Sequence, residues 1–451
     1  MTKKKWILLV VFILLVFSYR SLFYKSFSEK YVSKNADCII AVDVKRITNT
    51  IIWNFITTPA SWNKISYSSS DEISWRDMIK IPDYVFIFHT AGHPSSAWYV
   101  VCEIKQDKDF DAVAKRYGFQ MHDQRDGLRR YFSTASGIDM IRFKNKVLFG
   151  NHAVADKTLM YGVATGIFIQ KKHIERERLN KNIEVGSHLS IQVSKNYFFE
   201  ENAVIAVNFD KNEIAADGLL KLKKQFSLSE NNFSIPAQVL FAGRVTKGMV
   251  PFYNLISDSG KSRISKALNF NIDSVFLRSN QYYCLDVAGI QTRVDSAISY
   301  AYDDNFNPVQ KIVVNNLLEP EFNFTIHGDS VSNIYHYWNM NGQLENTALG
   351  ELFLPMPFVK SYCSFNNKKD LSIASGGYTE PDAVYQLKCI VFLKLLFTKA
   401  PNTLINYLPS RIAGVISNIQ SLELIAQNRD GQLKLHVRIA TKNYALRLLN
   451  W

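Results

Sequence analysis

The sequence predicts an α+β fold with mostly antiparallel sheets and packed helices, after an N-terminal transmembrane helix. Short apolar runs of strand length alternate with segments of helical spacing. Aromatic residues make up 13% of the chain, including 30 Phe and 22 Tyr, which favours strands around a large core. A hydrophobic run preceded by lysines lies at the N-terminus.

The chain has 451 residues, which is too long for one typical domain of about 100–200 residues. Its 47% hydrophobic and 21% charged residues are typical of a globular protein and exclude extended disorder. The pattern predicts a tail with anchor and stalk, a first α+β domain, a charged linker helix, and a second α+β domain ending in a hairpin and a short helix. These segments cover residues 1–34, 35–169, 170–185 and 186–451.

The predicted membrane anchor extends from Trp6 to Tyr24 and follows three lysines. A helix of this length rises about 29 Å, close to the roughly 30 Å hydrocarbon core of a bilayer. A cleaved signal peptide is the alternative. Small residues do not occupy the cleavage positions directly behind the run, which favours an uncleaved anchor.

The charge distribution indicates membrane topology. The net charge is +13, and residues 1–34 hold seven basic residues against one acidic residue. The lysine-rich tail favours a cytoplasmic N-terminus, so residues 35–451 are expected outside the cytoplasm of a single-pass protein. The charged run at 171–181 is interrupted by glutamates, so we interpret it as a solvated helix and predict no nucleic-acid partner.

The first domain begins with a predicted buried strand at 38–44 and a helix at 45–57. Alternation and turn signals predict five further strands and two further helices. The strands cover 84–88, 97–104, 128–133, 138–143 and 146–150, and the helices cover 108–117 and 153–162.

The second domain is predicted to repeat this order. A hairpin is followed by a strand, a helical stretch and a strand pair, which resemble the elements of residues 38–104. They cover 203–209 with 214–222, 239–243, 249–256 with 261–268, and 273–277 with 282–287. We therefore interpret the halves as pseudo-repeated units, with unrelated halves as the alternative.

The remaining sequence predicts four strands and a helical pair broken at Pro401. The strands cover 311–315, 322–326, 359–365 and 371–375, and the helices cover 381–396 and 402–419. Residues 422–427 and 432–439 then predict a hairpin with one solvent-exposed face, because apolar residues alternate there with Lys434, His436 and Arg438. A short amphipathic helix is predicted at 443–449.

The end of the chain carries a resemblance. The hairpin reads Asp-Gly-x-Leu-x-Leu-x-Val from Asp430 and precedes an Asn-x-x-Leu-x-x-Leu helix from Asn443. With the anchor and the repeated strand-helix-hairpin units, it resembles uncharacterised single-pass bacterial envelope proteins with domains of unknown function. This resemblance implies an envelope location and supplies no catalytic residues.

Motifs that could support chemistry lack the context that the chemistry needs. His89 and His93 have the spacing of a zinc motif, but Gly92 and Pro94 predict a loop rather than a helix. Asp329 or Ser330, after His327, is predicted to cap a helix rather than join a catalytic triad. We therefore predict no catalytic, cofactor or metal site. The five cysteines lie in apolar runs, which predicts buried thiols and leaves a disulfide open.

The most apolar internal run, at 389–397, is too short to span a membrane, and a core helix is its simplest interpretation. An apolar contact patch is the sharper alternative. Its members would be Leu387, Ile390, Val391, Leu395 and Phe397. The leading functional hypothesis is a non-catalytic binding or scaffolding ectodomain with an envelope protein as partner. A carrier of lipid or another hydrophobic ligand is second, and a membrane-tethered hydrolase is third.

Overall fold

A computed structural model gives the fold of the chain. The described residues are 24–57, 75–105, 109–133, 137–151, 157–196, 198–210, 212–224, 226, 229–247, 256–268, 271–273, 282–356, 359–366, 368–376, 378–379, 383–399 and 410–442. The predicted anchor before Tyr24 and the predicted helix at 443–449 lie outside these residues. Within the described ranges, no helix combines the length and apolarity that a membrane crossing requires.

The structure confirms an α+β fold built mostly from antiparallel sheet. The chain forms two compact units, residues 1–211 and 212–451. The predicted linker lies within the first unit, where a helix covers Arg176–Ile183.

The first unit contains one antiparallel sheet. Its strands are β1 Ala36–Asp43, β2 Ile79–Lys80, β3 Tyr84–Thr90, β4 Tyr99–Ile104, β5 Gln120–Arg125, β6 Leu128–Ser133, β7 Ile138–Phe143, β8 Lys146–Asn151, β9 Leu189–Val193 and β10 Ala203–Phe209. Their spatial order is β10-β9-β1-β3-β4-β8-β7-β6-β5, and β2 pairs with the end of β4.

Helices cover both faces of this sheet. They are α1 Val44–Thr57, α2 Trp75–Met78, α3 Phe110–Arg116, α4 Lys157–Ala164 and α5 Arg176–Ile183, and a π-helical segment, Thr165–Ile169, continues α4. Successive strand residues point to opposite faces, so Ile141 packs in a cluster with α4 and α5, whereas Met140 packs in a cluster with α3.

The second unit contains a longer antiparallel sheet and a two-stranded ribbon. The strands are β11 Glu213–Leu220, β12 Asn231–Pro236, β13 Phe241–Thr246, β14 Tyr282–Tyr302, β15 Pro308–His327, β16 Leu344–Thr347, β17 Gly350–Phe353, β18 Ser361–Asn366, β19 Asp370–Ser375, β20 Val384–Cys389, β21 Val391–Leu396, β22 Ile419–Arg429 and β23 Gln432–Thr441. The sheet order is β11-β23-β22-β21-β13-β14-β15-β19-β18-β17-β16, and β12 pairs with β20.

Three α-helices of this unit are described, α6 Asp258–Leu268, α7 Val331–Met340 and α8 Ser410–Asn418, and a 3-10 helix covers Phe397–Lys399. Helix α7 begins after Ser330, as the sequence predicts, although the Ser330 side chain makes no capping hydrogen bond. Its apolar side packs on β15, β17 and β19 around the fully buried Trp338.

The two units share a strand order. In the first, β4 is followed by α3 and a meander of four strands that returns to pair with β4 through β8. In the second, β15 is followed by α7 and four strands that return to β15 through β19. By this order β1, β3 and β4 correspond to β13, β14 and β15.

The prediction of a helix at 381–396 is wrong, because these residues form β20 and β21. Strand β21 lies between β13 and β22, and both faces of its first residues are covered. A strand buried on both faces has a continuous apolar run without alternation, which sequence periodicity does not distinguish from a buried helix.

The predicted hairpin at the end of the chain is confirmed. Asp430 and Gly431 both have positive φ angles, 52° and 78°, as a type I′ turn between paired strands requires. Strand β23 of the hairpin pairs with β11. On the polar face of this pair, His436 Nδ1 lies 2.8 Å from Asp217, and Arg438 Nε donates to Glu213 at 2.6 Å.

A buried ion pair connects three strands of the second unit. Arg244 on β13 is 3% exposed and donates to both oxygens of Asp286 on β14, at 2.7 and 2.9 Å. It also donates to the Ser234 carbonyl of β12 at 2.9 Å. Burial raises the pKa of Asp286, and the Arg244 guanidinium opposes that shift.

We expect Arg244→Leu to lower the free energy of unfolding by about 3–5 kcal/mol, because it leaves the Asp286 charge buried without its partner. Arg438→Leu, which removes a solvent-exposed pair, should cost less than about 1 kcal/mol. Urea unfolding of both variants measures the difference. Equal losses would contradict a special role for the buried pair.

His188 is a buried neutral histidine of the first unit. The Phe209 N–H donates to its Nδ1 at 3.2 Å, and the Thr50 hydroxyl lies 2.8 Å from Nε2. Because Nδ1 accepts a backbone hydrogen, the single ring proton resides on Nε2. Burial, followed by the nearby charge of Arg46, lowers the pKa of His188 below its ordinary value of 6.5.

Below pH 6.5 the unfolded chain therefore binds a proton at His188 that the folded chain does not bind. The contribution of neutral His188 to the free energy of unfolding is fully present above pH 6.5 and is lost as the pH falls below it. We expect the thermal midpoint to decrease as the pH is lowered from about 7.5 to about 5.5, and we expect His188→Gln to make this decrease smaller. His122→Gln, at an exposed position, is the control. An unchanged slope in His188→Gln would contradict the assignment.

Candidate contact surface

The residues of the predicted contact patch do not lie together on an exposed surface. Ile390 and Val391 lie in the core, and Leu387 packs against the cluster around Phe392. Leu395 and Phe397 are half-buried. A contact role for this patch stays a prediction.

The histidines singled out in the sequence are held by neighbouring side chains. His89 lies at the end of β3, with Nδ1 2.6 Å from Asp37 and Nε2 3.0 Å from the Pro94 carbonyl. His93 Nδ1 lies 2.8 Å from the Tyr99 hydroxyl, and burial lowers the pKa of His93. No set of three or more metal-binding side chains is assembled among the described residues.

His327 pairs with a carboxylate other than the one beside it in sequence. Its Nδ1 lies 2.6 Å from Asp370, and its ring stacks on Tyr282 with centroids 4.5 Å apart. Asp329 instead pairs with Lys369 at 3.3 Å. These contacts connect β14, β15 and β19 at the base of a hairpin.

The five cysteines are free thiols. Burial raises the pKa of Cys102 to about 11 and that of Cys284, Cys363 and Cys389 to about 12. Burial also raises the pKa of Cys38. A protonated thiol is a poor nucleophile, so these buried or half-buried side chains act as small apolar residues.

Two cavities lie in the first unit. One of about 240 Å³ is lined by residues that include Tyr31, Lys80 and Glu103, and one of about 230 Å³ is lined by residues that include Lys34 and Lys172. Both are smaller than the roughly 300–1,000 Å³ of a drug-sized ligand site, and polar and apolar groups both line them. Neither has the size that an acyl chain would need.

The hairpin β14–β15 carries ten of the large hydrophobic side chains that are exposed among the described residues. Its outer part, residues 292–318, is called the arm. Cross-strand partners lie on the same face of a paired strand, so the register assigns twelve side chains to one face of the arm. This apolar face consists of Thr292, Val294, Ser296, Ile298, Tyr300 and Tyr302 on β14, and Pro308, Gln310, Ile312, Val314, Asn316 and Leu318 on β15.

No member of the apolar face is charged, and its large side chains are open to solvent. Seven of them are 54–71% exposed: Val294, Ile298, Tyr300, Tyr302, Ile312, Val314 and Leu318. At about 100 Å² each they offer roughly 700 Å², above the few hundred Å² of the usual largest patch on a soluble monomer. The opposite face mixes Arg293 and Lys311 with small and apolar residues.

The apolar face continues the core-facing side of the hairpin base. On β15, Phe322 and Ile326 in the core have the same parity as Leu318, Val314 and Ile312. On β14, a bulge between Val287 and Gly289 shifts the alternation by one residue. Val287 before the bulge and Thr292 and Val294 after it therefore lie on the same face. Helix α7 covers the base, but at ten residues it is about 15 Å long, whereas the arm extends about 35 Å.

The tip of the arm presents one more aromatic side chain. Asp303 accepts hydrogen bonds from the backbone of Asn305 at 2.9 Å and Asn307 at 2.8 Å. The bonds from Asn307 lower the pKa of Asp303. This loop holds Phe306 at a φ of 60° with 84% of its surface exposed. Such a conformation is uncommon for a bulky residue and is associated with functional positions.

The fold itself does not require the arm. The corresponding hairpin of the first unit, β3–β4, has strands of seven and six residues, whereas β14 and β15 have 21 and 20. The additional length adds no buried core. It is therefore the feature of the second unit that most needs a functional explanation.

The sequence predicts strands at 282–287, 311–315 and 322–326, but it does not predict the arm as a unit, and residues 288–310 belong to none of its predicted elements. The alternation from Val294 through Ile298 and Tyr300 to Tyr302 was the available signal. Ser, Thr and Ala between these residues lower the local hydrophobicity, so the segment lacks the contrast of a half-buried strand.

No protein-family model and no curated protein matches the sequence. Among solved structures there is a distant likeness to TP0453, a membrane-associated lipoprotein of Treponema. One crystal form is 12% identical with a TM-score of 0.28, and the match covers 54% of this chain and 88% of that chain. Another is 10% identical with a TM-score of 0.23 over 78% and 93%. Similarity at this level does not allow a function to be transferred to this chain.

We expect that replacing residues 295–315 by Asn-Gly leaves the second unit folded, because the turn joins the registered pair Val294 and Asn316 and retains the Arg293–Glu319 ion pair. The thermal midpoint should change by less than about 4 °C. Binding of an apolar fluorescent dye should fall relative to the full chain. Loss of the cooperative unfolding transition would contradict a dispensable arm.

Proposed function

We propose that the chain is a membrane-anchored, non-catalytic binding protein of the cell envelope that contacts its partner through the apolar face of the arm. The observation that carries this proposal is the uncharged face with seven large exposed side chains. Exposing such a patch to water is unfavourable, and contiguous patches of this size mark interaction sites.

The sequence supports the proposed location. The run from Trp6 to Tyr24 is proposed to anchor the chain, with residues 35–451 outside the cytoplasm. A tethered protein meets its partner at a raised effective concentration, which makes a single contact surface more effective.

The arm suits binding better than ligand transport. A carrier encloses its lipid in a large apolar cavity, whereas the cavities described in the first unit are small and lined by both polar and apolar groups. The arm presents its apolar surface outward, where a partner of comparable extent can cover it. For this reason a contact role is preferred to the carrier hypothesis.

Photocrosslinking in the native cell tests the contact. With p-benzoylphenylalanine in place of Tyr300, on the apolar face, we expect irradiation to give a defined adduct of the full chain. The same group in place of Ala301, exposed on the opposite face, should give little. Mass spectrometry of the adduct identifies its class. Equal yields at the two positions, or none at Tyr300, would reject the proposal.

A further inference from the structure

The outer edges of the arm favour a protein over a bilayer as its partner. On β14, pairing with β13 ends at Val287, and on β15, pairing with β19 begins at Asn323, so within the described residues no strand covers either edge of the arm. Hydrocarbon offers no hydrogen bonds to such backbone groups, which makes burial of the ribbon in lipid costly. A second sheet layer packs about 10 Å above the face and leaves the edges in water.

The edges are also poor templates for another strand. Pro308 and Pro320 limit the part of β15 that belongs to the arm, and proline has no N–H to donate to a neighbour. Lys311 lies between them, as charged residues do on protected edge strands. Contact through the face is therefore favoured over strand addition.

The apolar face is complementary to itself. A two-fold axis that runs across the strands, above the apolar face at the level of the Ala297–Val313 pair, places two arms face to face with their strands antiparallel. Tyr300 then lies over Val294 of the second copy, and Ile298 lies over Ser296, so large side chains meet smaller ones. On the other strand, Gln310 lies over Asn316, which allows one amide to hydrogen-bond with the other. No like charges meet, because the face has none.

The area is also appropriate for a pair of arms. Each face offers roughly 700 Å² of apolar surface, close to the about 800 Å² that each partner contributes to a stable interface. An isolated two-stranded ribbon is marginally stable in water, and a second ribbon on its apolar face supplies the missing layer. Resting on the proposed function, we infer that the partner of the arm is the arm of a second copy of this chain, in antiparallel face-to-face contact.

Crosslinking with matched serines tests this arrangement in intact cells that express the full chain. Ser296 and Ser299 are both exposed and lie on opposite faces of the same strand. With a short bismaleimide, Ser296→Cys should give a dimer at least ten times more efficiently than Ser299→Cys. The native thiols, which are buried or half-buried and have raised pKa values, provide the background measured in the wild-type chain.

A charge on the apolar face should abolish the crosslink. Ile298→Lys in the Ser296→Cys chain should lose at least nine-tenths of the dimer, whereas Ala297→Lys, on the opposite face, should retain it. Because both sites lie in the arm, which the fold does not require, both variants should retain the cooperative unfolding transition of the second unit.

Three results would overturn the inference. Equal crosslinking at the two serines would indicate random collision. No crosslink at Ser296→Cys, together with a lipid or foreign-protein adduct at position 300, would remove the second copy as partner and leave the proposed function standing. Absence of both the crosslink and the adduct would reject both proposals.

Discussion

The alternation of side chains along two paired strands is the constraint on which the second unit depends. Its core fixes the register of β14 and β15 through Phe322, Ile326 and Trp338. Because the side-chain period is two, a slip of one residue would turn every apolar member of the arm to the other face. The bulge after Val287 compensates for one additional residue on β14, so the core-facing side remains apolar up to Tyr302.

The two units show what the shared strand order needs and what it does not. In each, a helix after the central hairpin packs on a four-stranded meander, through Phe110 in the first unit and Trp338 in the second. A short hairpin is sufficient for this packing in the first unit, as the seven-residue β3 shows. Because β14 has 21 residues, its apolar face extends beyond helix α7, which covers only the base of the hairpin.

The sequence predicted elements well where a local signal is strong. Asp430-Gly431 between alternating strands predicted the last hairpin, because few residues tolerate two successive positive φ angles. It failed for β20 and β21, where burial on both faces removes the alternation. The strands at the base of the arm were predicted, but the arm was not, since its exposed face contains Ser296, Thr292 and Gln310 among large apolar residues. Which face lacks a cover is a property of strand pairing and helix length, and neither can be read from one segment.

The arm couples its own order to its contact. A two-stranded ribbon gains little from its own hydrogen bonds, since water competes for them, so its stability depends on what covers its face. The tip hydrogen bonds to Asp303 and the ion pair of Arg293 with Glu319 fix the two ends. Between them, Ile298 and Ile312 stand opposite each other without cover. A partner that covers this pair stabilises the ribbon and is bound by it in the same step, so affinity and arm order must change together when a charge is placed there.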